Sequence, residues 1–258
     1  MKLTIITVCY DSSKTIGQTL RSVGEQTYAD IEHIVVDGGS KDNTLQVVAT
    51  EGLHVAKLVS ERDNGIYDAM NKGIALATGD VIGTLNADDF YMHEQVLESV
   101  AEVFLDATID ACYGDLVYVQ QNDVNKIVRF WKSCDFKSGL FKSGWMPAHP
   151  TFFVRKSVYE RLGNFNLDYE LAADFELLFR FVEQNKIKTQ YLPEVLVKMR
   201  LGGATNKNLC NILKQNKEIF TILRKSYFDF SVVEFVVKKM LNRFRQFYSG
   251  YKFRIYHK

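Results

Sequence analysis

Four short apolar runs, each followed by a stretch with helical spacing, fill the first 85 residues and leave few folds open. The runs are 3–10 (Leu-Thr-Ile-Ile-Thr-Val-Cys-Tyr), 31–37, 55–60 and 81–85. Ile16, Leu20 and Val23 fall on one helical face and predict a helix over 14–26, with Asp11-Ser12-Ser13 ahead of it as capping residues. Two more helices are expected over about 43–51, capped by Ser40 or Asp42, and over about 66–77, between Asn64-Gly65 and Thr78-Gly79-Asp80. Strands that are apolar throughout are buried on both faces, and strands alternating with helices build a mostly parallel sheet. An α/β fold with helices flanking that sheet follows.

The run at 81–89 ends abruptly in two carboxylates, Asp88 and Asp89, with Asn86 just before them. Asp37 and Asp63 fall at comparable positions, at a strand end and ahead of a helix. In a parallel sheet the carboxyl ends of all strands face the same way, so these side chains converge on one crevice, where such folds bind ligands. One Asp at a strand end is an ordinary turn residue; four at one edge would need several unrelated turns. Hard divalent cations use one or two carboxylates plus substrate phosphate oxygens, so the acids suggest a metal–diphosphate site. The first strand-to-helix turn reads Cys9-Tyr10-Asp11-Ser12-Ser13, without GxGxxG, and no GxxxxGK[ST] occurs. A nucleotide here is expected to be held by acids and metal rather than by a glycine-rich phosphate loop.

Beyond Asp89 the pattern loosens. Expected elements are a helix near 93–105, a strand at 110–119, a hairpin turning at 121–123 into 126–131, a loop-rich stretch over 132–150, a strand at 151–155, helices over 156–162 and about 172–185, and a strand near 189–198. A glycine loop (201–206) leads into a helical tail. Cys9, Cys112, Cys134 and Cys210 are scattered, with no CxxC and no His/Cys cluster, which argues against zinc and a disulfide framework. The apolar start is too short for a signal peptide, and no stretch reaches the roughly 18 apolar residues of a membrane span. A cytoplasmic location is the expectation. The net charge of +1 hides an asymmetry: 205–258 holds 12 Lys and Arg against 3 Asp and Glu, or +9, and the remaining residues carry −8. That tail interleaves its cations with aromatics, from Phe220 to Phe253, a composition suited to an anionic membrane surface at the inner face of the plasma membrane. Packing back on the protein itself or on a second subunit is the other reading; no DNA- or RNA-binding motif supports a nucleic-acid partner.

Several of these segments, taken in order, resemble the family 2 glycosyltransferases: Ile5-Ile6-Thr7-Val8, Val35-Val36-Asp37-Gly38-Gly39-Ser40 with Asp42 and Thr44, Ala69-Met70-Asn71-Lys72-Gly73 before Gly79-Asp80, and Leu85-Asn86-Ala87-Asp88-Asp89. The resemblance resumes at His149-Pro150-Thr151-Phe152-Phe153 and Ala172-Ala173-Asp174-Phe175-Glu176-Leu177. It implies a GT-A fold and inverting transfer of a sugar from a nucleotide diphosphate to an acceptor hydroxyl, with Mn²⁺ or Mg²⁺ as cofactor. The implied layout is a catalytic domain over 1–205, divided into a nucleotide-binding half (1–91) and an acceptor-binding half (92–205), followed by the tail at 206–258. It further implies that Thr7, Val8 and Tyr10 line the nucleotide pocket, largely through backbone, that Asp37 accepts a hydrogen bond from the base, and that Asp63 and Asn71 lie beside base and ribose. Asp88 and Asp89 match the second half of the family's metal-binding acidic motif. Asn86 stands where Asp is frequent, but its amide oxygen is still a metal or ribose ligand.

Inverting transfer needs one base opposite the leaving diphosphate, and the resemblance gives that role to Asp174. An acid in the first turn of an apolar helix is also a plain dipole partner. Glu176, two residues on, points elsewhere around the helix. His149 is a candidate for diphosphate or acceptor contact, Trp145 for stacking on a sugar or closing a core, Arg200 beside Gly202-Gly203 for a phosphate-facing flap or an ordinary turn, and Asp115 for substrate or a strand-end turn. The expected reaction is glycosyl transfer to a glycan or lipid-linked glycan in surface polysaccharide synthesis. The alternatives are a nucleotidyltransferase and a non-catalytic sugar-nucleotide-binding scaffold.

Overall fold

A computed structural model describes residues 1–202, 209–227 and 229–256. The first four strands, β1 (Leu3–Cys9), β2 (Ile31–Asp37), β3 (Val55–Ser60) and β4 (Val81–Thr84), pair in parallel in the order β3-β2-β1-β4. They alternate with α1 (Ile16–Gly24), α2 (Thr44–Glu51) and α3 (Ile66–Leu76). All seven residues of β1 are buried. Successive side chains of a strand point to opposite faces: Ile6 and Val8 of β1 pack with Ile34 and Val36 of β2 under α3, while Cys9 and Val35 join Ile16, Leu20 and Val48 of α1 and α2 on the other side. The edge strand β3 alternates half-buried and exposed positions and carries Lys57, as an edge that must not pair further requires.

The second half is a mixed sheet. β5 (Asp89–Tyr91) and α4 (Val96–Val103) are followed by β6 (Ala111–Gln120), β7 (Asp123–Trp131), β8 (Phe153–Arg155), α5 (Lys156–Leu162), α6 (Ala173–Leu178), β9 (Thr189–Arg200), α7 (Leu209–Ser226) and α8 (Val232–Tyr256). The sheet continues from β4 as β8-β6-β9-β5, with β7 paired to β6. β8 runs antiparallel to both β4 and β6, β9 runs parallel to β6, and β5 is antiparallel to β9. The helix expected over 172–185 is α6 continued as a π-helical stretch, Phe179–Gln184. β5 has no counterpart in the sequence reading. Its three residues form a strand because β9 lies beside them, Asp89 opposite Met199.

Both helical layers are apolar toward the sheet. Met70 and Ile74 of α3, Val158 and Tyr159 of α5, Phe175 of α6 and Leu223 of α7 share one core cluster; Val96 and Val100 of α4 pack with Leu116 and Leu196 in another. The tail helices therefore begin as part of the same packed body.

Candidate active site

Register places the strand ends level with one another. Cys9 pairs with Asp37 and Asp37 with Ser60 across β1, β2 and β3. After β4 the chain still follows β1, since the Leu85 and Ala87 N–H groups donate to Ile6 and Val8 carbonyls at 2.9 and 3.3 Å. This carries Asp88 to the level of Cys9 and Tyr10. The loops that leave β1 and β2 are laced together at the same edge. Asp11, at φ 46°, accepts from the Lys41 N–H at 2.8 Å, the Ser12 N–H donates to Thr44 at 2.7 Å, and the Ser13 N–H donates to Asp42 at 3.1 Å.

Tyr10 projects from this edge, 58 % exposed, beside Gly38 and Asp63. Gly38 allows that approach: a Cβ there would lie 2.4 Å from Asp63 Oδ2. Asp37 has a different environment. Its carboxylate is fully buried and accepts from the Gly39 and Ser40 N–H groups at 3.1 and 3.0 Å, from the Ser60 hydroxyl at 2.6 Å, and from the Ser40 hydroxyl. Burial alone would raise its pKa, but those donors hold it below the usual range. The Cys9 thiol donates to it at 3.6 Å and is pushed up by burial and by Asp37. Asp37, expected to contact the base, thus fixes the 38–40 loop from inside, because the chain's own donors occupy both oxygens.

Thr7 is likewise interior: its hydroxyl shares a 2.9 Å hydrogen bond with His33, and Val8 is buried with its carbonyl taken by Ala87. Asn71, expected beside the ribose, turns toward the second half. Its amide donates to the Phe165 carbonyl at 2.9 Å and accepts from the Phe165 N–H at 3.0 Å, tying α3 to the segment before α6.

The acid turn separates its two carboxylates. Asp88 is half-buried at the crevice edge, whereas Asp89 is fully buried in β5. Burial, reinforced by the charge of Asp88, raises the Asp89 carboxyl well above the ordinary range. Which of the two acids faces the crevice, left open by the sequence, is decided by β5, which turns Asp89 inward and leaves Asp88 at the edge. Arg200 does not form a phosphate-facing flap. It is 6 % exposed, stacks over Phe90 at 5.0 Å, and donates to the Asp88 carbonyl at 2.6 Å and to Gln18, bracing the acid turn from behind. Burial lowers its pKa, opposed by Asp88 and Asp89. Of the 201–206 loop, residues 203–206 lie outside the described residues.

The Asn86 amide oxygen and Asp89 Oδ1 are buried without a hydrogen-bond partner, and the Asn86 amide donates to Asp89 Oδ2 at 3.4 Å. A buried acceptor left unpaired is costly, so the Asn86 amide oxygen beside Asp88 suits a hard cation. Among the described residues no group of three or more His, Cys, Asp or Glu side chains is placed to hold a metal. An ion here would need substrate oxygens to complete its shell.

Asp174 stands half-buried in the first turn of α6 and accepts from the Tyr67 hydroxyl at 3.1 Å. Burial and Asp174 together raise the Tyr67 pKa well above its usual value, so this phenol stays a donor. The imidazole of His149 packs edge-on against Phe165 at 5.5 Å; burial lowers its pKa, opposed by the nearby Asp174 charge. Glu176 is committed elsewhere, paired with Arg180 at 2.8 Å. Trp145 sits among Tyr113, Phe136 and Phe141 at ring distances of 5.6–6.0 Å, which makes it part of the aromatic core. Asp115 is buried too, accepting from the Ser133 N–H at 2.7 Å and Tyr191 at 2.9 Å. Tyr67 stands in the first turn of α3, which starts from the same strand edge as the acid turn, so its hydrogen bond brings Asp174 to that side of the sheet.

The sequence reading missed one partner of Asp174 and one residue that holds the segment before it. Tyr67 lies 107 residues away in the chain. Glu218 of α7 accepts from the Glu170, Leu171 and Ala172 N–H groups at 3.3, 3.0 and 2.9 Å, while Gln215 donates to the Leu171 carbonyl at 3.0 Å. Nothing local in the sequence marks either contact; only helix spacing over 215–218 offers a hint.

Residues 4–163 match the family model described as glycosyl transferase family 2. The chain belongs to glycosyltransferase family 2. A PGL/p-HBAD biosynthesis glycosyltransferase of Mycobacterium bovis is 32 % identical over 192 residues, 72 % of each chain. An uncharacterized glycosyltransferase of Nostoc is 29 % identical over 219 residues, 80 % of this chain and 66 % of that one. Among solved structures, S. aureus TarS 1–349 in complex with UDP-GlcNAc superimposes with a TM-score of 0.67 at 16 % identity, over 87 % of this chain and 65 % of that one. The mannosyltransferase PcManGT from Pyrobaculum calidifontis, in complex with GDP-Man and Mn²⁺, gives a TM-score of 0.64 at 20 % identity, over 88 % of this chain and 64 % of that one. The family 2 chain therefore has the GT-A fold and spans just under two thirds of those two chains.

Proposed function

We propose that this family 2 chain is an inverting glycosyltransferase that moves a sugar from a nucleotide diphosphate to an acceptor hydroxyl. The observation that carries the reading is Asp174, half-buried and hydrogen-bonded by Tyr67 from the start of α3, at the strand edge that also holds the acid turn. In a single displacement the Asp174 carboxylate takes the acceptor proton while the diphosphate leaves from the opposite side of the anomeric carbon. Tyr67 fixes the carboxylate rotamer, and the Phe175 N–H donates to the same carboxylate oxygen at 2.8 Å. Tyr10 and Asp63 form the open part of the nucleotide edge. Asp88 and the Asn86 amide would hold a Mn²⁺ or Mg²⁺ ion, which when bound neutralises charge on the leaving diphosphate. The donor set of oxygens and the Mn²⁺ in the mannosyltransferase neighbour support that assignment.

The acceptor in this reading is a glycan or lipid-linked glycan in surface polysaccharide synthesis, met at the cytoplasmic face of a membrane. The mycobacterial relative and the basic tail support it. The test is Asp174→Asn. Titration with UDP, GDP, CDP and dTDP, with and without Mn²⁺, first identifies the nucleotide; sugar transfer is then followed with the matching donor. The variant is expected to bind the nucleotide like the parent and to lose about 10²- to 10⁴-fold in turnover. Normal turnover would remove Asp174 as the base.

A further inference from the structure

We propose that the outward face of α8 seats the protein on an anionic lipid bilayer, with the helix lying in the interfacial plane. One side of α8 is already occupied. Phe235 is buried, Lys239 donates to Asn216 at 2.8 Å, and Gln246 accepts from Arg129 of β7 at 2.7 Å. Gly250 rests on the β7 backbone, where a Cβ would come within 2.8 Å of Arg129 Cα. Positions 235, 239, 246 and 250 share one helical face, and they fix which side of α8 faces the protein.

Among the described residues the opposite side presents exposed apolar side chains. Val233, Val237, Met240, Leu241 and Phe244 are 74, 50, 55, 52 and 68 % exposed. Their spacing of three, four and seven residues makes a continuous apolar stripe of the kind that marks an interaction surface. Arg245 and Lys238, seven residues apart and both exposed, border the stripe on one side, Lys238 paired there with Glu234 one turn earlier. The surrounding 205–258 segment carries +9 in a chain whose remainder is −8. A lipid surface rich in anionic headgroups satisfies both halves of this pattern, because apolar side chains enter the acyl boundary while the cations stay among phosphates. A second copy of α8 would instead bring like charges together. Among the described residues no helix is long and apolar enough to cross a membrane, so the contact is lateral.

The geometry also deepens the acceptor assignment, on which this last step rests. Lys239, on the docked side, donates to Asn216 of α7, and Gln215 and Glu218 of that helix hold residues 171 and 172 just before Asp174. A bilayer on the outer face of α8 is thus linked to the proposed base through α8 and α7, suited to an acceptor anchored in lipid.

The experiment is flotation of the full chain with vesicles of phosphatidylcholine alone or with about 30 mol % phosphatidylglycerol, at low and high salt. It requires no turnover, so it separates this inference from the proposed reaction. Binding is expected only with phosphatidylglycerol and should weaken in salt. Met240→Asp/Phe244→Asp and Lys238→Glu/Arg245→Glu should each weaken it about tenfold or more, with circular dichroism unchanged because these side chains are exposed. Binding that ignores lipid charge or either pair of substitutions overturns the proposal. So does absence of binding together with a dimer that Met240→Asp/Phe244→Asp converts to a monomer, which would assign the stripe to a second copy.

Discussion

Stability should fall between neutral pH and pH 5 because of one buried imidazole. His33 lies on β2 with no exposure, its Nε2 2.9 Å from the Thr7 hydroxyl and its Nδ1 3.0 Å from His54 Nε2; the two rings stack at 5.1 Å. Burial, then the charge of His54, lowers its pKa from 6.5 to about 3. Above pH 6.5 the imidazole is neutral in both folded and unfolded chains, so it carries no pH-dependent penalty. Below 6.5 the unfolded chain takes up a proton that the folded chain refuses until about pH 3. Stability is therefore lost as pH falls through that window, at about 1.4 kcal/mol per pH unit once the unfolded histidine is protonated. By about pH 5 the loss from this residue reaches about 2 kcal/mol. Glu32, lowered to about 2, and Asp37, also lowered, lose their contributions only in more acid solution. Urea unfolding at about pH 7.5 and 5, for the parent and His33→Gln, isolates the term, since His54 and His149 remain in both. The parent should lose about 2 kcal/mol more than the variant over that interval. Equal losses would mean that the fold accepts a proton at His33, and the account of the Thr7–His33–His54 chain would be wrong.

The two acids of the 86–89 turn should separate by experiment. Asp88→Asn is expected to weaken Mn²⁺-dependent nucleotide binding about tenfold or more, the low end of what even an outer-shell metal partner costs. Asp89→Asn, replacing a carboxyl already held above its ordinary range, should leave that binding within about threefold by calorimetry, since its amide can accept the same contacts. Glu218→Ala releases three backbone N–H groups two residues before Asp174, and it should lower kcat about tenfold or more while KM for the donor holds. Glu218→Gln, which retains one acceptor oxygen, should recover part of that loss; steady-state kinetics on the two variants checks both statements.

Much of the fold was legible because its signals are local. β2, β3 and α5 match the expected 31–37, 55–60 and 156–162, and the other early elements shift only at their ends. The strand runs are mostly apolar and β-branched, and a helix lying on the sheet repeats its apolar residues every three or four. β5 escaped because three residues carry no period; they are a strand only where β9 supplies partners. The orientation of individual polar side chains was equally hidden. Asp37, Asp88 and Asp89 are the same residue type at similar strand ends. One is enclosed by its own loop, one reaches the crevice edge, and one is turned into the core.

The sequence by itself determined the parallel half-sheet, the edge where its acids gather, and the charge asymmetry between body and tail. These properties depend on composition and on spacings of a few residues. Tertiary structure decided which acids are open, that Tyr67 and Glu218 hold Asp174 and its approach from opposite ends of the chain, and which face of α8 is left bare. Each of those depends on contacts between residues tens to more than a hundred positions apart, where burial and hydrogen-bond partners, rather than residue type, set what a side chain can do.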